Sequence, residues 1–180
     1  MMRMSNRTLF FGGAGLVVAG TIVLGLLLPA KASTGALDGA KAPDFSAVTI
    51  DPPVTTRTLR DYEGSVVLLN VWATWCPPCV REMPTMEQLH QAYEDRGLRV
   101  VAISVDDAGA ADLIREFRAE QNLSFEILHD PESAIFESYK LNGVPMTFLI
   151  DRKGIVRLTR YAADWFSPEN RSAVAKLLDR

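Results

Sequence analysis

Two cysteines, Cys76 and Cys79, stand two residues apart where an apolar run of strand length gives way to a helical pattern. That junction constrains the fold more than any other feature of the chain. Val66 to Trp72 (VVLLNVW) is almost continuously apolar, which a strand sustains only when both of its faces are covered. Glu82 to Glu94 has helical spacing, with Met83, Met86, Leu89 and Tyr93 on one side. A covered strand, a turn bearing a Cys pair and then a helix make the beginning of an α/β unit.

The rest of the chain continues the alternation. Residues 46–50 and 54–59 read as short strands separated by Asp51-Pro52-Pro53, and Arg99 to Val105 (RVVAISV) as a second buried strand. Ala110 to Asn122 reads as a helix with Leu113, Ile114 and Phe117 apolar, Phe125 to Leu128 as a strand, and Ser133 to Lys140 as a helix. Met146 to Ile150 and Ile155 to Arg160 flank Asp151-Arg152-Lys153-Gly154, a hairpin turn in which glycine accepts positive φ. Ser167 then caps a last helix with Pro168 at its first position and Glu169 close behind. The fold class is α/β, with helices around a central mixed sheet.

A pair of cysteines at this spacing could bind zinc, staple a loop or exchange electrons. A closed zinc site needs about four ligands, and the histidines, His90 and His129, stand apart; both are read as surface residues. A disulfide closing so short a loop adds little stability through chain entropy. A cysteine at a helix N-terminus, by contrast, meets free N–H groups and the positive end of the dipole, which favour a thiolate. Cys76 is thus read as the exposed nucleophile, and Cys79, one turn later on the same face, can attack a mixed disulfide formed there.

With these residues in view, the chain resembles the thioredoxin superfamily, and within it the TlpA/ResA-like branch of membrane-tethered thiol-disulfide reductases. The resemblance spans roughly residues 42–180. It is carried by Ala42-Pro43-Asp44-Phe45, by LLNVWATWCPPC, by Glu82-Met83-Pro84, and by GVPMTFLID from Gly143 to Asp151. It implies a thioredoxin-like fold, Cys76 as attacking thiol, Cys79 as resolving thiol, and the two together as a redox-active disulfide with no organic cofactor or metal. Pro145 matches the cis-proline whose loop lies beside the cysteines, and Val144, Trp75 and Pro77 are the surface offered to a substrate. Pro84 matches a kink in the active-site helix, whereas Trp72 belongs to the core. Thioredoxins proper carry a buried aspartate where this chain has Asn70, which cannot titrate. Glu82 matches the glutamate that the TlpA/ResA-like branch places three residues after the second cysteine, and it is expected to move protons to and from Cys79. The simpler alternative is a first-turn glutamate favoured by the helix dipole.

The leader sets the expected location. Leu9 to Leu28 is an uncharged stretch of 20 residues, long enough as a helix to cross a hydrocarbon layer of ~30 Å. The alternative is a cleaved signal peptide ending at Ala30-Lys31-Ala32, although such cores run to only about 7–15 apolar residues. Arg3 and Arg7 before the stretch keep the N-terminus inside. The expected organisation is residues 1–8 in the cytoplasm, a transmembrane anchor over 9–28, a linker over 29–42 and a thioredoxin-like domain over 43–180 on the extracytoplasmic, periplasmic side. The formal net charge of −3, with no basic run, excludes a nucleic-acid partner.

The resemblance implies protein disulfides as substrates, such as those of apocytochrome c before haem attachment, and an integral membrane thiol reductase as electron donor. Pro77 and Pro78 offer no backbone N–H to the Cys76 thiolate, which favours a reductant over an oxidant. Two alternatives stand beside it. A thiol peroxidase shares APDF and the apolar strand, but Ala73 and Leu69 occupy the positions where peroxiredoxins carry Thr or Ser and Pro. A copper-binding module of the Sco type uses CxxxC and a distant histidine, against which the two-residue spacing argues.

Overall fold

β3 (Val66–Trp72) is buried at every position, and the sheet around it explains why. The computed structural model describes residues 36–180. Within them β1 (Ser46–Thr49), β2 (Thr56–Thr58), β3, β4 (Leu98–Ser104), β5 (Glu126–His129), β6 (Met146–Ile150) and β7 (Val156–Arg160) form one mixed sheet in the order β2-β1-β5-β4-β3-β6-β7. β3 pairs in parallel with β4 and antiparallel with β6, so its backbone is bonded along both edges, and its side chains project into the core on the two faces of the sheet. The parallel neighbours β3 and β4 need a long crossover, supplied by α1 (Pro77–Tyr93), and α2 (Ala111–Glu120) joins β4 to its parallel neighbour β5. α3 (Ala134–Ser138) and α4 (Pro168–Leu178) complete the helices.

The apolar faces read from the sequence are buried. Met83, Met86 and Leu89 are fully covered and Tyr93 is nearly so. Trp72 is fully buried, with its ring 4.8 Å from that of Phe117 on α2. Leu113 departs from the expected apolar face and is 51% exposed, since α2 buries only its Ile114 side against the sheet. Ser167 caps α4 by accepting from the Asn170 N–H. The β6–β7 turn has Gly154 at φ +75°, and Asp151 Oδ1 accepts from the N–H groups of Lys153 and Ile155.

Three expectations are corrected. α1 begins at Pro77, five residues before the predicted start, because prolines in a first turn lack N–H groups that would have had no helical partner there. Residues 39–42, expected to be linker, run antiparallel along the outer edge of β7: Gly39 and Ala42 donate to the carbonyls of Val156 and Gly154, and Val156 donates to that of Ala40. This pairing satisfies a strand edge through the backbone alone, so it leaves no side-chain pattern to read. His129 is not a surface residue but is 5% exposed at the end of β5, and His90 is largely buried beside Phe125 with its Nε2 on Glu94.

The stretch 9–28 lies outside the described residues, and among those no helix is long and apolar enough to cross a membrane.

Candidate active site

The C-terminal end of β3 delivers the chain to the Cys pair through a clamped turn. Trp72 C=O accepts from the Val105 N–H at 2.9 Å, continuing the β3–β4 ladder beyond the strand. Thr74 is then held by Asp106: its N–H reaches Oδ2 at 3.0 Å and its hydroxyl reaches Oδ1 at 2.6 Å. Asp106 is buried, accepts a further bond from the Ser104 hydroxyl at 2.6 Å, and its backbone carbonyl lies 2.9 Å from Nε2 of His129. Cys76 N–H returns to Ala73 C=O, which closes the turn and sets Cys76 as the N-cap of α1.

Cys76 and Cys79 form a disulfide with their Cα atoms 5.3 Å apart. Pro77 and Pro78 fill the first two helical positions and give the sulfur no N–H, but the Cys79 N–H points at Cys76 Sγ over 3.3 Å. One backbone donor therefore remains at the helix N-terminus for a thiolate at Cys76. In this oxidised form Cys76 is 4% exposed rather than open, because its sulfur is turned onto Cys79, which is fully buried. Trp75 beside it is 67% exposed, and Pro77 is exposed too.

β6 brings the second part of the site. Val71 pairs with Met146, so the preceding Val144–Pro145 step lies level with the end of β3, next to the Cys turn. That peptide bond is cis, as the resemblance implied; Pro145 is buried and Val144 half-buried.

Glu82, one turn after Cys79, is 3% exposed and points into the domain, and it lies beyond the first turn of α1, where the helix-dipole alternative would have placed it. Its Oε1 accepts from Asn70 Nδ2 at 2.6 Å, and its Oε2 from the Ala163 N–H at 3.1 Å. The same Asn70 Nδ2 donates to Thr147 Oγ1 on β6 at 2.8 Å. Burial pushes the Glu82 carboxyl up to about 7, with the bonds from Asn70, Ala163 and Thr147 opposing the rise. A group poised near neutrality can accept and release a proton under ordinary conditions.

The structure thus brings Trp75, Cys76, Pro77, Cys79, Glu82, Val144 and Pro145 to one end of the sheet. Sequence reasoning missed Asp106, Thr74, Thr147 and Ala163. A Ser-x-Asp alternation at the buried end of RVVAISV was the available signal for Asp106; the Ala163 contact is made by backbone and had none.

Known proteins show which family the chain belongs to. Residues 39–159 match the model of the AhpC/TSA family. A thiol-disulfide oxidoreductase ResA from Oceanobacillus iheyensis is 34% identical over 152 residues, covering 83% of this chain and 78% of the relative. The chain belongs to the AhpC/TSA family and, within it, to the ResA-like thiol-disulfide oxidoreductases. A thioredoxin-like protein YneN of Bacillus subtilis is 39% identical over 128 residues, 71% of this chain and 73% of that one. Among solved structures, a thiol:disulfide interchange protein described as DsbE from Chlorobium tepidum superposes with a TM-score of 0.64 at 35% identity, over 78% of this chain and 94% of the other. This ResA-like chain is accordingly a thiol-disulfide oxidoreductase with a thioredoxin-like fold, and Cys76 and Cys79 are its only cysteines.

Proposed function

We propose that this protein is a membrane-tethered, extracytoplasmic reductase of protein disulfides, acting on cysteine pairs such as those of apocytochrome c during cytochrome c maturation. The observation that carries the reading is the disulfide at the N-terminus of α1 with a buried glutamate one turn behind it. In the reduced protein the Cys76 thiolate attacks one sulfur of a substrate disulfide, forms a mixed disulfide and releases the other substrate sulfur as a thiolate. Cys79 loses its proton to Glu82 and attacks Cys76 Sγ. The substrate leaves fully reduced, and the Cys76–Cys79 bond carries away the two-electron oxidation. Trp75, Pro77, Val144 and cis-Pro145 form the contact surface for the substrate segment.

An integral membrane thiol reductase returns the protein to the dithiol, and the apolar stretch 9–28 holds the domain at the outer face of the cytoplasmic membrane. The reducing direction is supported by the two prolines, which leave the Cys79 N–H as the backbone donor to Cys76. DsbA, whose reduced form is strongly stabilised, lies at about −120 mV. The test is a redox titration of the full chain together with reduction of a peptide bearing an oxidised haem-attachment Cys pair. A potential well below that of DsbA and stoichiometric peptide reduction are expected; a potential near that of DsbA refutes the reducing direction. Peroxide consumption by the dithiol form at a rate matching disulfide reduction would favour the thiol peroxidase alternative, which the AhpC/TSA match keeps in view.

A further inference from the structure

Asn70 lies at the centre of β3 with no exposure, where every neighbour along the strand is apolar. Its Nδ2 serves two acceptors, Glu82 Oε1 and Thr147 Oγ1, while its Oδ1 is buried with no hydrogen-bond partner. A buried acceptor without a donor is uncommon and asks for an explanation. The groups around Glu82 supply one. Asn70 Nδ2 and the Ala163 N–H donate to its carboxylate oxygens, and the Thr147 hydroxyl lies against it as well. This is an arrangement for the ionised acid. A neutral Glu82 carries an O–H and needs an acceptor, and the unpartnered oxygen of its hydrogen-bonded neighbour is Asn70 Oδ1.

We propose that Asn70 is a positioning residue for Glu82: turned by half a revolution about its terminal bond, its amide offers Nδ2 to the ionised carboxylate and Oδ1 to the protonated acid, holding Glu82 one turn behind Cys79 in both states. The proposal rests on the reading of Glu82 as the group that exchanges a proton with Cys79. The rotated amide places Oδ1 to accept from both the Glu82 O–H and the Thr147 O–H, since a threonine hydroxyl can reverse its role. It leaves Nδ2 where Oδ1 had no partner, so the rotated state is the costlier of the two. Neither leucine nor aspartate could do this. Leucine offers no polar atom, and aspartate would set two carboxyls within hydrogen-bond distance, which cannot both ionise freely.

No charged side chain competes for the site. Glu82 makes no ion pair among the described residues; the own-helix neighbour is Cys79, and β3, β6 and the segment after β7 contribute Asn70, Thr147 and the Ala163 backbone. Arg160, paired in register with Thr147, has its guanidinium on Glu169 at 3.1 Å, and Asp164 accepts from the Phe166 N–H.

The experiment follows the rate at which the reduced full chain, and its Asn70→Leu, Asn70→Asp and Glu82→Gln variants, reacts with a small disulfide across the neutral pH range. Besides the inflection of the Cys76 thiol itself, the wild type is expected to show one near neutrality that Glu82→Gln abolishes. Asn70→Leu should keep the inflection but move it up by about one pH unit, a tenfold change in the ratio of ionised to neutral Glu82, because the charge-assisted bond to the carboxylate is the stronger of the two lost. Asn70→Asp should split it in two. An Asn70→Leu profile superimposable on the wild type, with Glu82→Gln altered, overturns the role of Asn70 while leaving that of Glu82 standing. A Glu82→Gln profile identical to the wild type overturns both. If Asn70→Leu does not fold, Asn70→Asp decides alone, and a single unmoved inflection there refutes the proposal.

Discussion

Replacing Glu82 with glutamine changes how the stability of the oxidised protein depends on pH, and burial sets the size of the change. The carboxyl is 3% exposed and is pushed up from an ordinary 4.5 to about 7. Because the folded-state value is the higher one, the native protein holds this proton more tightly than the unfolded chain does between the two values. The contribution of the neutral carboxyl is therefore complete below about 4.5 and is lost as pH rises through about 7. A span of roughly 2.5 pH units at about 1.4 kcal/mol each amounts to ~3 kcal/mol. Glutamine fills the same volume and cannot ionise. Urea titrations of the disulfide form at a series of pH values should then show the stability of Glu82→Gln, relative to the wild type, rising by about 3 kcal/mol from acid to mildly alkaline conditions. A relative stability that stays level across that range would refute the claim that the fold holds this carboxyl neutral. The readout involves no turnover, so it separates the environment of Glu82 from its part in the reaction.

Other expectations follow from the same geometry. Cys79→Ala should accumulate mixed disulfides between Cys76 and its substrates, visible on non-reducing gels and absent from Cys76→Ser; equal trapping by both variants would contradict the assignment of the attacking thiol. Trp75→Ala removes a side chain that is 67% exposed, so its stability should stay within about 0.5 kcal/mol of the wild type while kcat/KM for protein disulfides falls and that for a small disulfide does not. Asp106→Ala strips the Thr74 N–H, the Thr74 hydroxyl and the Ser104 hydroxyl of their shared acceptor and should cost about 2–3 kcal/mol in urea titrations. A loss below about 0.5 kcal/mol would mean that the turn before Cys76 does not depend on Asp106.

Much of this protein was legible in one dimension. The apolar run of β3, the helical face of α1, the capped start of α4 and the hairpin at Gly154 follow from local periodicity and turn chemistry, which neighbouring residues specify together. The Cys pair at the strand-to-helix junction announced redox work for the same reason: the helix N-terminus that favours a thiolate at Cys76 is itself a local structure. Pattern failed where side chains play no part, as in the pairing of residues 39–42 with β7 and in the donation from the Ala163 N–H to Glu82. It failed again at His129, whose Asp-Pro context reads as a surface turn until β5 is seen packed between β1 and β4.

What only the tertiary structure decided is the state of the groups around the cysteines. Nothing near Glu82 in the chain says that it is buried. Its partners Asn70 and Ala163 stand 12 and 81 residues away, and the Thr147 that shares Asn70 stands 77 residues from it. Hydrogen bonds and desolvation at that range depend on how α1, β3, β6 and the segment after β7 converge in space. The sequence by itself therefore determined where the cysteine pair sits, at the start of α1. The packing of distant strands around one glutamate decided that its carboxyl is buried and pushed up to about 7.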